Sequence, residues 1–354
     1  MNGSQTSPLP AIGARVGWVD TAKGLGIILV VVGHVLRGLV ASNVMTMTPA
    51  VAYVDAWIYA FHMPLFFFLS GLFLSRSAAK PSAEFTRDKI GTIAYPYFVW
   101  SLITLLIKSP LGQIVNQPRT LLEVPEILYR PIEQFWFLYV LFLLSIVFGF
   151  LLKFGARPWT LIIVAAVLYP GIWPLPSSGW VPFELSRSYA IYFALGVLVG
   201  GNQFNLLNGA GERTLAVVAA VGLLTVALFA IFLETDHPHL LDFVLATSGT
   251  AGIVAIAVLA NRARMDSAIG FLGRYSLEIF VAHTIASAAI RVLLQRYWLV
   301  SSPAPYIVFC TIIGLYGPVL VAIAWKRMDF GWAFTIPKRN ELNKNNFEQE
   351  RRSF

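Results

Sequence analysis

Lys23 and His34 stand eleven positions apart in the stretch DTAKGLGIILVVVGH, residues 20–34. That spacing is close to three turns of an α-helix, so both side chains project from one face, with Asp20 nearby. Along the axis they stand roughly 16 Å apart, at about 1.5 Å per residue. The surrounding residues are apolar enough to cross a bilayer, where an ionisable group costs about 2.5 kcal/mol or more at mid-depth. A cation near one membrane surface and an imidazole deeper on the same stripe mark a site, not a lipid-facing anchor. The competing explanations are that Lys23 snorkels to the surface and that His34 makes a helix–helix hydrogen bond.

Four further groups carry chemistry. In DAWIYAFHMPLFFFLSG (55–71), Asp55, Tyr59 and His62 fall at i, i+4 and i+7, one face of a helix. Pro64 removes a backbone donor and frees the Ala60 carbonyl beside His62; the alternative is a kinked packing helix with a satisfied histidine. Antiparallel first and second helices bring His34 and His62 to comparable depths. Arg87 and Lys89, ahead of TIAYPYFVW, read either as a positive-inside signal or, with Lys23, as a clamp for phosphates. Glu133 and Trp136 open the fourth helix, the first able to meet a polar acceptor and the second suited to an interfacial belt. In GRYSLEIFVAHT (273–284), Arg274 and Glu278 form an i,i+4 pair, and His283 is another intramembrane imidazole on the face of Ser276.

The elements that position these groups are membrane helices. Of 354 residues, 57% are hydrophobic and 12% charged, with Cys310 the one cysteine; the mean hydropathy is +0.70. Soluble domains carry about twice that charge fraction. A lone cysteine excludes an internal disulfide or a cysteine metal site, and no metal site is expected. Residues 1–17 are polar without a cleavage motif, so the first apolar run is expected to stay as a helix. Windows of about twenty apolar residues give ten expected spans: 17–40, 50–75, 90–108, 135–153, 158–175, 187–201, 213–233, 241–260, 270–297 and 304–326. Ten spans put both termini on one side. Eighteen of the 26 Lys and Arg residues lie on that side and seven on the other, and the bias survives removal of the C-terminal tail. Both ends are therefore expected to be cytoplasmic, and the charge of +8 is an orientation signal, not a nucleic-acid footprint. The expectation is an all-α integral membrane protein, one bundle over residues 1–337, with 338–354 a polar, disordered tail. There is no internal repeat and no P-loop.

Together these segments resemble the acyltransferase-3 family of bacterial membrane acyltransferases, in the branch of fucose 4-O-acetylases and exopolysaccharide O-acyltransferases. WVDTAKGLGIILVVVGH resembles the family's first-helix motif, in which many members have Arg where this chain has Lys23. FHMPLFFFLSGLFL matches the second-helix signature, Arg87-x-Lys89 resembles an Arg-x-Arg element, and FWFLYVLFLL and GRYSLEIFVAH resemble later blocks. The resemblance covers most of the chain in order. It implies an acyl-CoA co-substrate, most simply acetyl-CoA, with no tightly bound cofactor. It also implies a glycan or lipid-linked oligosaccharide acceptor and a place in the bacterial inner membrane. Lys23, Arg87 and Lys89 would hold the CoA phosphates. His34 would act as general base on the acceptor hydroxyl or carry the acyl group, with His62 beside it. Asp55, Tyr59, Glu133, Trp136 and His283 would orient the base or bind acceptor. Other readings of the residues are a secondary transporter of a polar or anionic solute and an O-succinyltransferase of the same family. Oligomeric state is not encoded in any of these features.

Overall fold

The computed structural model describes residues 16–114, 116–172, 176–200, 209–230, 232, 239–297, 302–328, 331–334 and 336. They form helices and turns, with no strand among them. Helix α1 spans Gly17–Ala41. An interrupted second leg follows as α2 (Pro49–Tyr59), α3 (His62–Gly71) and α4 (Leu74–Ala78). The third leg is α5 (Ser82–Lys89) and α6 (Tyr95–Lys108), joined by a π-helical turn over Ile90–Ala94. Short 3-10 turns lead to α7 (Trp136–Lys153), then α8 (Pro158–Leu168) and α9 (Val181–Leu198). The remaining helices are α10 (Glu212–Phe229), α11 (His239–Arg262), α12 (Ser267–Arg274), α13 (Ser276–Tyr297) and α14 (Pro303–Arg327). Among the described residues, eight stretches are long and apolar enough to cross a membrane. The protein is an all-α integral membrane protein.

Three expectations change in detail, each for a backbone reason. Among its described residues, the expected span 158–175 is helical over the eleven residues of α8, about 16 Å, too short for a hydrocarbon core of about 30 Å. Tyr169 is extended, the conformation favoured ahead of Pro170. The second helix breaks at Ala60 and Phe61, because Pro64 cannot donate to the Ala60 carbonyl; the ladder resumes with Leu65 N–H to the Phe61 carbonyl at 2.9 Å. The expected helix 270–297 is likewise two helices, broken at Tyr275. That break undoes the expected Arg274–Glu278 pair. Glu278 instead accepts from Lys326 Nζ of α14 at 3.2 Å, and Arg274 lies 5.7 Å from the Phe271 ring. The tail 338–354 lies outside the described residues.

Helix α1 is the hub. It packs against α2, α3 and α11 to α14, and Trp18, Ala22, Ile27, Val31 and Leu39 are buried along it. Its closest neighbour is α12, where a Cβ on Gly273 would collide with the Asp20 carbonyl and one on Gly24 with the Ile269 carbonyl. Association inside lipid rests on such close approach, because the lipid chains are as apolar as leucine. A second close crossing joins α3 and α9, where Gly71 and Gly196 face each other's helix backbones.

The α1–α12 crossing generates a stability prediction. Gly273→Leu must push the two helices apart, an overpacking change worth about 1–3 kcal/mol. Thermal unfolding in detergent should show a lowered midpoint, with a smaller effect for Gly273→Ala. An unchanged midpoint for both variants would contradict the close crossing.

Candidate active site

His34 lies two turns before the C-terminal end of α1 and meets two elements there. The His283 ring of α13 is 5.0 Å away between centroids, and Tyr59 at the end of α2 is 6.3 Å away. Tyr59 meets His62 edge-on at 4.6 Å, so three imidazoles and a phenol share one patch. The break after Tyr59 creates this arrangement, since His62 begins a new helix just beyond it.

Hydrogen bonding fixes two of the three imidazoles. His62 Nδ1 is 2.8 Å from the Ile58 carbonyl. His283 Nδ1 is 3.0 Å and 2.9 Å from the carbonyls of Ile279 and Phe280. A carbonyl oxygen only accepts, so Nδ1 carries the proton in both rings and Nε2 keeps a lone pair. His283 is fully buried, and its Nε2 has no hydrogen-bond partner among the described residues. An orphaned acceptor of this kind beside a second imidazole is suited to receive an N–H from it.

Arg37, one turn beyond His34, closes the patch. Its guanidinium sits 3.2 Å over the Tyr59 ring centroid and forks onto Asp55, with Nε to Oδ1 at 2.8 Å and Nη2 to Oδ2 at 2.7 Å. Bidentate geometry and the stacked ring both exploit the planar guanidinium. Below this lid is a cavity of 760 Å³ lined by His34, His62, His283, Glu133, Trp136 and Arg291, among others. A smaller cavity of 410 Å³, lined by Tyr169, Tyr192, His239 and Asp242, shares the Arg37, Tyr59 and Tyr189 wall.

Glu133 and Trp136 sit on the wall opposite α1. Glu133 has a positive φ of 46°, a strained conformation for a non-glycine residue. Its carboxylate accepts from Lys108 Nζ at 2.5 Å, with side-chain exposures of 8% and 15%. Trp136 packs on Tyr189 at 5.2 Å. Between them, Gln134 donates to Thr284 Oγ1 of α13 at 3.0 Å, tying the α7 entrance to the helix that carries His283.

The three expected clamp residues lie elsewhere. Lys23 is half-buried on α1, one turn from Asp20, with no hydrogen-bond or ion-pair partner among the described residues. Arg87 is exposed and Lys89 half-buried at the end of α5, with Lys89 Nζ 5.7 Å from the Phe85 ring. No hydrogen bond, ion pair or ring contact among the described residues joins Lys23 to either. Asp88 is taken by Lys80, which also pairs with Glu84 at 3.1 Å. Hydrogen bonds to Asp88, then to Glu84, hold the Lys80 ammonium above its ordinary value. The hydrogen bond of Asp88 therefore goes to Lys80, not to Arg87 or Lys89.

Arg37, Gln134, Tyr189, Thr284 and Arg291 were absent from the sequence-based candidates. A signal existed for Arg291: His283, Ser287, Arg291 and Gln295 recur every fourth residue along an otherwise apolar helix, which places them on one stripe.

The Lys108–Glu133 pair carries a prediction. Glu133→Gln leaves the Lys108 ammonium uncompensated, at about 3–5 kcal/mol, whereas Lys108→Met leaves Glu133 with Arg119 Nε at 3.9 Å. Glu133→Gln and Lys108→Met should each lower the unfolding midpoint, and the double variant should be less destabilised than the sum. Strict additivity across this cycle would contradict a direct pair.

Comparison with known proteins gives a family. A family model described as an acyltransferase domain matches residues 16–323. Over 155 residues the chain is 28% identical to the nodulation protein NolL of Mesorhizobium japonicum, a region covering 42% of this chain and 39% of that relative. No solved structure matches. The family match runs from the start of α1 into α14 and encloses every residue of the imidazole patch, so the chain belongs to the acyltransferase-3 family of integral-membrane acyltransferases.

Proposed function

We propose that this protein is an O-acyltransferase of the bacterial inner membrane. In this reading it moves an acyl group, most simply acetyl, from cytoplasmic acyl-CoA to a hydroxyl of a surface or secreted glycan. The observation that carries the reading is the imidazole patch inside the larger cavity of an acyltransferase-family chain. His34 lines a 760 Å³ cavity, within the size range of ligand sites, with the unpartnered Nε2 of His283 in the neighbouring ring.

The chemistry follows from these groups. One nitrogen of His34 removes the proton of the acceptor hydroxyl as its oxygen attacks the acyl carbonyl carbon. The C–O ester bond forms, the C–S thioester bond breaks, and the electron pair leaves on sulfur. The proton on His34 then passes to the CoA thiolate, and the base is restored. His283 orients His34 by accepting its other N–H, a positioning role. His62, Tyr59 and the Arg37–Asp55 fork shape the acceptor side. Lys23 and the Arg87/Lys89 pair serve the donor phosphates; the exposure of Arg87 and the lack of a hydrogen bond or ion pair to Lys23 among the described residues support that assignment. Glu133 and Trp136 line the opposite wall, where an aromatic face and a carboxylate suit a sugar.

Purified protein supplied with acetyl-CoA labelled on the acyl group and a glycan extract tests the reading. His34→Ala should lower label transfer by about 100-fold or more, the usual range for loss of a general base. Equal transfer by variant and unaltered protein removes His34 from the mechanism. Lys23→Ala and Arg87→Ala/Lys89→Ala should raise the half-saturating acetyl-CoA concentration. Donor affinity unchanged in both would remove the clamp.

A further inference from the structure

Arg291 is a buried cation that the proposed reaction does not use. It is 6% exposed and lines the same cavity as His34. Its hydrogen bond among the described residues runs from Nη1 to Gln295 Oε1 at 3.2 Å. The other cations of that cavity are compensated, Arg37 by Asp55 and Lys108 by Glu133. No carboxylate among the described residues pairs with Arg291. A guanidinium held at the edge of a lipid-embedded cavity without a counter-charge is costly, and a planar fork of free N–H groups matches an oxyanion.

We propose that Arg291 binds an oxyanion, phosphate or carboxylate, carried by the acceptor. This rests on the acyl-transfer reading and names the chemistry of its second substrate. Position assigns the anion to the acceptor. Arg291 lies eight residues beyond His283 on α13, about 12 Å along the axis, farther than a short acyl group reaches from a carbonyl held at His34. Lys23 is displaced from His34 in the opposite direction, towards the N-terminal end of α1. The rim of the cavity near Arg291 is apolar and outward-facing, with Ile107, Ile114 and Leu293 at 38%, 59% and 52% exposure. An anion beside an apolar, lipid-facing rim is the pattern made by the phosphate of a lipid carrier. The carboxylate of an acidic sugar presents the same oxyanion without the lipid.

Binding of four probes to the full-length protein in detergent tests this. They are a polyisoprenyl phosphate, the uncharged polyisoprenol of equal length, a tri-galacturonate and a neutral tri-galactoside. The unaltered protein should hold at least one charged probe tenfold or more tighter than its neutral twin. Arg291→Gln should lose that preference and Arg291→Lys should keep part of it. Preference for the phosphate assigns the anion to a lipid carrier, and preference for the galacturonate assigns it to the glycan. Should Arg291→Gln fail to fold, Ala289→Glu adds a carboxylate at the exposed cavity edge and should abolish the preference by itself. The proposal is overturned if neither charged probe is preferred, if the preference survives Arg291→Gln, or, where that variant does not fold, if it survives Ala289→Glu. Absent preference alongside acyl transfer that requires His34 overturns the anion site and leaves the transferase reading standing. Arg291-dependent preference without any acyl transfer supports the anion site and overturns the transferase reading.

Discussion

A polar side chain in hydrocarbon must have a partner or a purpose, and this fold is arranged around that constraint on α1. The helix carries Lys23, His34 and Arg37 through the bundle while six other helices pack around it. Glycines at its crossing with α12 let the backbones close up, which leaves the polar stripe facing protein and cavity instead of lipid. Unwinding that enclosure would expose the His34 imidazole and the half-buried Lys23 at once. Packing and chemistry are therefore the same problem here, and the small residues that look like mere spacing are what permit the reactive ones.

The patch itself is built by interruption. Pro64 breaks the second leg, so Tyr59 and His62 face the same space from two short helices. The break at Tyr275 starts α13 afresh and frees Glu278 to pair with Lys326. Local i to i−4 carbonyl bonds set the protonated nitrogen of His62 and His283 without any side-chain partner. Such bonds fix each ring's direction, so two lone pairs are held ready at the cavity. Preorganised acceptors of this kind are what a proton-transfer site requires.

The helical class and the first-helix stripe were legible in sequence because hydropathy and three-turn spacing are local properties. So was the polar face of the second leg, since Asp55, Tyr59 and His62 differ by whole turns. What escaped was non-local. Arg37 looked like an outer-loop charge until Asp55 and Tyr59 came to it from another helix. The Arg274–Glu278 spacing suggested a pair, but periodicity does not report a helix break at Tyr275. The four-residue stripe from His283 to Gln295 was readable and unread, because isolated serine and glutamine residues attract less notice than histidine.

The central claim is that acyl transfer takes place beside His34 in the larger cavity. The most direct measurement is an experimental structure of the protein with a non-hydrolysable thioether analogue of acetyl-CoA. The account predicts the thioether sulfur in that cavity, with the carbonyl-equivalent carbon within about 4 Å of a hydroxyl position that His34 reaches, and the nucleotide towards Lys23. An analogue seated elsewhere in the bundle, with its sulfur remote from His34 and His283, would contradict it.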